Sequence, residues 1–278
     1  MFKNFFEGWY FKHQNEYETV AIIPGISAFS SFIQIITNDN SYNINFSKNQ
    51  FIKNKNTKIL IDNNIFSLKE INLDIKTTDF NVRGKINYYN LTPINNNIMG
   101  PFKFLPLECR HGIISMHHKI NGTLEISGKI FDFTNGKGYI ETDKGYSFPK
   151  HYVWIQTNDF DEKCSIMVAI ANIPFLGFSF IGIICVVYYQ DIEYRIATYN
   201  GAKILECTKN KIKIFNKNLR LEIDIPTYSG HSLYSPIQGK MIGIIKESPS
   251  CKARFRFYKA NKLIFDMIST KTSCEFID

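Results

Sequence analysis

Residue character alternates between apolar and polar at every second position over many short runs. SFIQIIT (31–37), NVRGKINYY (81–89), GTLEISGKIFDF (122–133), LRLEIDI (219–225) and KARFRFY (252–258) are examples, separated by Asn-, Asp-, Gly- and Pro-containing turns. A period of two is the mark of a half-buried β-strand. No long apolar stripe of helical period competes with it, and no strand–helix alternation suggests a parallel nucleotide-binding sheet. The pattern predicts an all-β chain of antiparallel strands. Its 278 residues exceed one small barrel, so two stacked β-barrels are expected, 1–145 and 146–278. The boundary follows the breakers Gly145 and Pro149. No internal sequence repeat is evident.

The stretch from Cys164 to Gln190 carries no charged residue and is long enough to span a bilayer as a helix. Its content argues otherwise. β-Branched and aromatic residues dominate it, and Asn172, Pro174 and Gly177 interrupt its middle. A proline inside a helix costs about 3 kcal/mol, so the stretch is expected to be a buried β-hairpin.

A content of 44% hydrophobic and 15% aromatic residues supplies a large core and argues against disorder. The formal charge of +8 is spread over scattered lysines, without the clustering that a nucleic-acid face needs, so no nucleic-acid partner is expected. Six cysteines show no paired CxxC spacing, and they read as reduced structural thiols. The opening MFKNFFEGWYFKH lacks the apolar core and cleavage site of a signal peptide. An intracellular, cytoplasmic protein is expected.

Candidate chemistry lies where acids and aromatics share a strand face. Alternation places Tyr139, Glu141 and Asp143 together, and Tyr152, Trp154 and Gln156 together. Phe5, Glu7, Trp9 and Phe11 repeat the mixture near the start. Such faces make poor dry cores, because each polar tip needs a partner when buried, and natural cavity walls. His111, near Cys109, and the pair His117 and His118 have no second cluster at metal-ligand spacing, so no metal site is expected. Ser115 and Ser147 lack the GxSxG turn of an esterase nucleophile.

Four blocks carry a family resemblance: FFEGWYFK (5–12), ECRHGIISMHHKINGTLEI (108–126), DFTNGKGYIETDKGYSFPKHYVWIQTN (132–158) and RIATYNGAKI (195–204). In content and order they resemble the tocopherol cyclase-like proteins. The resemblance implies a pair of lipocalin-like barrels. It also implies the chemistry of the plant members, which close the chromanol ring of vitamin E from a prenylated hydroquinone. A proton is delivered to an alkene, and the phenol oxygen traps the resulting carbocation, with no cofactor. Asp143, Glu141 and then Glu7 are the candidate acids, since a carboxyl group sunk among aromatics tends to keep its proton. Trp9, Tyr10, Tyr152 and Trp154 are the candidate cation-stabilising wall, and His111, Gln156 and Asn158 further ligand contacts. Family members commonly carry Trp where this chain has Lys144.

The expected partner is a hydrophobic, isoprenoid-type small molecule, with peripheral membrane contact for its uptake. Two rival readings stand beside the cyclase. A non-catalytic lipocalin-like carrier would use the same aromatics to bury a ligand tail. A carbohydrate-binding sandwich would need exposed coplanar aromatics.

Overall fold

The computed structural model describes residues 5–54, 58–175 and 177–278. The chain forms two large antiparallel sheets and, among the described residues, three short 3-10 turns as its only helical elements. The first sheet opens with β1 (Phe6–Gln14), β2 (Thr19–Ile26), β3 (Ser30–Thr37), β4 (Ser41–Ser47), β5 (Phe51–Lys53) and β6 (Ile59–Ile61). It continues with β7 (Asn64–Phe66), β8 (Glu70–Lys76), β9 (Asn81–Tyr89), β10 (Cys109–Ile126), β11 (Lys129–Asp132) and β12 (Gly136–Gly145). The second sheet opens with β13 (Tyr152–Thr157), β14 (Cys164–Phe175), β15 (Phe178–Tyr189), β16 (Ile192–Arg195) and β17 (Lys203–Cys207). It ends with β18 (Lys211–Phe215), β19 (Leu219–Asp224), β20 (His231–Ile237), β21 (Lys240–Lys259) and β22 (Lys262–Ile277).

Strand order in the first sheet is β4-β3-β2-β1-β12-β10-β9-β8-β7-β6-β5, with β11 beside β10; in the second it is β16-β15-β14-β13-β22-β21-β19-β18-β17, with β20 beside β21. Among the described residues no pairing joins the two edges of either sheet. Two open sheets therefore stand where closed barrels were expected. The strands nearest one edge, β5 to β7, have three residues each, too few to extend the ladder around a full circle.

Each sheet nonetheless bends over its own core. In the first, edge strand β5 reaches middle strand β1: Phe51 stacks on Trp9 at 6.3 Å, and Lys53 pairs with Glu7 at 2.6 Å. One apolar cluster, including Phe11, Ile35, Ile61, Phe66, Ile86 and Leu124, fills the space between. In the second, Tyr194 of β16 packs on Phe257 of β21 at 5.1 Å over a core of Ile166, Val187, Ile214 and Phe255. A third cluster, with Tyr10, Met116, Tyr139, Trp154, Met167 and Ile245, lies between the sheets and glues them face to face. A cavity opens within this layer.

The apolar stretch from Cys164 to Gln190 forms the hairpin β14–β15, paired from Cys164↔Tyr189 to Phe175↔Phe178. The chain reverses at Gly177, whose φ of 87° favours glycine, while Leu176 lies outside the described residues. Asn172 and Pro174 were expected in the turn. They lie within β14 instead, opposite Ile181 and Ser179, where the hairpin projects beyond its neighbour and Pro174 is exposed. A missing N–H is tolerated in such a position.

Candidate active site

The cavity wall is built by strand register. On the first sheet Tyr10 lies opposite Glu141, and Gly8 opposite Asp143, which faces His111 across β10. These side chains share one face because they follow the same alternation. On the second sheet Trp154 lies opposite Glu275, and Glu275 opposite Glu247. Facing sheets bring the two sets together. The Tyr10 hydroxyl donates to Glu247 Oε1 at 2.5 Å, Trp154 Nε1 donates to Glu141 Oε2 at 3.3 Å, and the Tyr10 and Trp154 rings meet edge to face at 5.2 Å. Gly8 leaves a gap between Phe6 and Tyr10, since a Cβ there would meet only Pro24 O at 3.9 Å. Most of the remaining wall is apolar, with Phe32, Met99, Phe148, Ile184 and Leu233 among its residues.

The acids fall into two groups with different neighbours. In the first, His111 sits between two carboxyl groups, Nδ1 at 2.9 Å from Asp143 Oδ1 and Nε2 at 3.3 Å from Glu141 Oε2. Burial opposes a proton on this imidazole, but Asp143 and Glu141 outweigh it and hold its pKa well above the ordinary histidine range. Glu141 Oε2 is also the acceptor of the Tyr139 hydroxyl at 2.5 Å. Donors from Tyr139 and Trp154 thus converge on one oxygen, with His111 Nε2 within ion-pair distance of it, an arrangement suited to a carboxylate acceptor.

The second group is the cross-strand pair Glu247 and Glu275. Burial and the neighbouring Glu275 push the Glu247 pKa well above the usual carboxylate range. Burial raises Glu275 to about 7, helped by Glu141 and Asp143 and opposed by the Tyr152 hydroxyl, which donates to Glu275 Oε2. Two carboxyl groups that face each other away from water cannot both ionise cheaply, so the pair retains a proton at neutral pH. Glu247 Oε2 is buried and has no hydrogen-bond partner among the described residues. Behind the pair lies Lys12, fully buried, its Nζ donating to Gln156 Oε1 at 3.0 Å and to Lys271 O at 2.8 Å. Burial pulls its pKa down to about 7, against the pull of Glu247.

Of the residues singled out in the sequence, Tyr10, His111, Glu141, Asp143, Tyr152 and Trp154 meet at this cavity. Trp9 borders it, but the residue is 3% exposed and packs in the first sheet's own core. Glu7 lies outside the lining and pairs with Lys53. Gln156 is held beneath the wall by Lys12. Asn158, whose Nδ2 donates to Gly138 O, borders a separate polar cleft with His117 and Lys163. Glu247 and Glu275 escaped the sequence reading. The available signal was phase: Met241, Gly243, Ile245 and Glu247 follow one alternation, which places an acid in step with apolar residues.

His111, Glu141 and Asp143 also offer three donor atoms within 4.8 Å of one another. A metal there would have to displace the proton that both carboxyl groups hold on the imidazole, since only a deprotonated nitrogen ligates.

The tocopherol cyclase-like family model matches residues 68–276. The chain belongs to the tocopherol cyclase-like family. The match begins after β1 to β7 and takes in His111, both acids of the first group and both of the second. No curated protein sequence matches this family member. Its fold is similar to that of kievitone hydratase from Nectria haematococca, at 12% identity and a TM-score of 0.60, covering 99% of this chain and 89% of that one. CghA is similar at 6% identity and a TM-score of 0.62, over 99% of this chain and 88% of the other. CghA with Sch210972 gives 6% and 0.58, over 99% and 89%. At these identities the likeness is one of fold. Among the described residues of this tocopherol cyclase-like chain, no helix is long and apolar enough to cross a membrane.

Proposed function

We propose that this protein catalyses acid-initiated addition of an O–H group across an alkene, closing a ring on a hydrophobic prenylated phenol or related isoprenoid. The observation that carries the reading is Glu247: a carboxyl group in the wall of an apolar cavity, opposite Glu275 and disposed to keep its proton, whose buried Oε2 has no hydrogen-bond partner among the described residues. Family membership supports it. The two bent sheets are read as two incompletely closed lipocalin-like barrels stacked face to face.

In this account Glu247 transfers its proton to one alkene carbon, and the tertiary carbocation forms on the other. The rings of Tyr10, Tyr152 and Trp154 line the cavity, and each aromatic face contributes about 0.5–2 kcal/mol towards a nearby cation. The imidazolium of His111 with the carboxylates of Glu141 and Asp143 leaves that side of the wall with one net negative charge, the sign that favours a carbocation. The phenol oxygen attacks the cation, and Glu275, in its ionised form, takes the phenol proton. The cross-strand pair returns that proton to Glu247, so substrate and product are isomers. Asp143 and Glu141, the acids favoured by the sequence, serve here as the anionic partners of His111, because a cation bound to both suits them to hold charge rather than deliver a proton.

Incubation of the purified protein with prenylated hydroquinones in D₂O tests the reading. The expected product has the ring closed and one deuterium on the former alkene carbon. A product that gains the mass of one water would mean hydration in place of cyclisation. Ligand bound and recovered unchanged across the series would favour the carrier.

A further inference from the structure

The hairpin β14–β15 extends past the end of β13. Tyr152 is opposite Ala171, yet β14 and β15 continue to pair as far as Phe175 and Phe178. Near its base Ile173 and Phe180 line the cavity. Farther out Phe178 is 58% exposed, and Ile181, on the reverse side, is 50% exposed. A 3-10 turn, Gly100–Phe104, leans on this hairpin through Phe102, whose ring lies 5.7 Å from that of Phe180. Two residues on, Phe104 is 79% exposed. Three large apolar side chains thus stand exposed beside the cavity, Phe178 and Ile181 on opposite faces of the projecting hairpin and Phe104 on the turn that leans on it, where together they form an apolar tip at its lip.

The charge at this end is complementary to one partner. Arg110 and Lys144 face each other where β10 begins and β12 ends. Lys103 follows Phe102 in the turn, and Lys150 lies in the loop leading into β13. All four are exposed; Glu108 lies beside Lys150, and Glu7, held by Lys53, is the cross-strand neighbour of Lys144. Basic residues around an apolar tip match an anionic bilayer surface, which attracts lysine and arginine near its headgroups.

We propose that this lip docks on anionic lipid bilayers, inserting Phe104, Phe178 and Ile181 at the headgroup level and setting the cavity mouth against the lipid. The inference rests on the proposed function only in that a hydrophobic substrate would be drawn from such a surface. Its test needs no substrate.

Co-sedimentation with vesicles of phosphatidylcholine, alone and mixed with phosphatidylserine, measures the docking. The wild-type protein is expected to bind the mixed vesicles more tightly and to lose that excess at high salt. Phe178→Asp with Ile181→Asp is expected to lower partitioning by about tenfold or more, with the circular dichroism spectrum and unfolding temperature retained. Lys103→Glu with Lys150→Glu should remove only the phosphatidylserine-dependent part. A wild-type protein that ignores both vesicles overturns the proposal, as does a folded apolar-lip variant that binds like wild type. So would sedimentation showing a dimer that Phe178→Asp dissociates, since a second copy would then occupy the lip.

Discussion

Two carboxyl pairs face each other across one cavity, and they differ in what lies between their members. Glu141 and Asp143 on the first sheet are bridged by His111. Glu247 and Glu275 on the second sheet are cross-strand neighbours, with phenol hydroxyls as hydrogen-bond donors and, among the described residues, no cation bonded between them. The first arrangement stabilises charge; the second stabilises a proton. In the proposed mechanism four acids of similar intrinsic strength take opposite roles from their surroundings, the general device by which one site holds both an acid and an anion at the same pH.

The largest effect should come from removing the proton on the second sheet. Glu247→Gln nearly preserves shape and is expected to lower turnover by about 10²–10⁴-fold while leaving ligand affinity close to wild type. Asp143→Asn should instead act through His111, and the two variants should separate in a plot of kcat against KM. Equal loss from both, with no difference in pH profile, would merge the two pairs into one functional unit.

Next in size is the stability of the first pair. His111→Phe leaves two buried carboxyl groups without their cation and is expected to cost about 3–5 kcal/mol in chemical unfolding, the usual result of removing one partner from a buried ion pair. Glu141→Gln with Asp143→Asn in the same background should recover much of that loss. A single His111→Phe variant as stable as wild type would mean that the imidazole carries no charge.

The pH dependence of stability sharpens the comparison further. Glu275 has a folded-state pKa of about 7, raised above the roughly 4.3 of a free glutamate. Its contribution is complete below the unfolded value and disappears as pH rises through about 7. His111, also raised, contributes fully below its unfolded value near 6.5 and loses that contribution only at higher pH. Thermal unfolding followed from pH 5 to pH 8 should show a decline that Glu275→Gln reduces and Asp143→Asn leaves in place. The smallest effect is expected from Trp154→Phe, which keeps an aromatic ring, though a smaller one, and removes the donor to Glu141, at a hydrogen-bond cost of about 0.5–1.5 kcal/mol in unfolding free energy.

How far the sequence revealed this site depends on register. Glu141, Asp143, Tyr152 and Trp154 lie within 14 consecutive positions on strands of clear alternation, so their shared faces could be read directly. Glu7 and Trp9 followed the same rule to the other face of β1, where Trp9 only borders the cavity and Glu7 lies outside its lining. The cavity face of β1 is Phe6, Gly8, Tyr10 and Lys12, with Lys12 fully buried. A glycine and a lysine make that face look like the solvent side, and only the opposite sheet supplies Gln156 and a carbonyl to receive the ammonium. Glu247 and Glu275 lie 28 positions apart on β21 and β22, whose pairing shifts register at several points between Ser248 and Tyr258. Counting by twos cannot carry across such bulges. All-β architecture was legible because most strands declare themselves locally by alternation, whereas closure into barrels depends on edge strands that meet no local rule.

The central claim is that a proton resides on the Glu247–Glu275 pair at neutral pH, and infrared spectroscopy of the carboxyl stretch tests it without a substrate. In D₂O at pH 6 the wild-type protein should show a carbonyl band from a protonated, water-excluded carboxyl group. That band should vanish in Glu247→Gln and persist in Asp143→Asn. A spectrum containing only ionised carboxylates, or a protonated band that disappears with Asp143→Asn and survives Glu247→Gln, would contradict the account and return the acid to the first sheet.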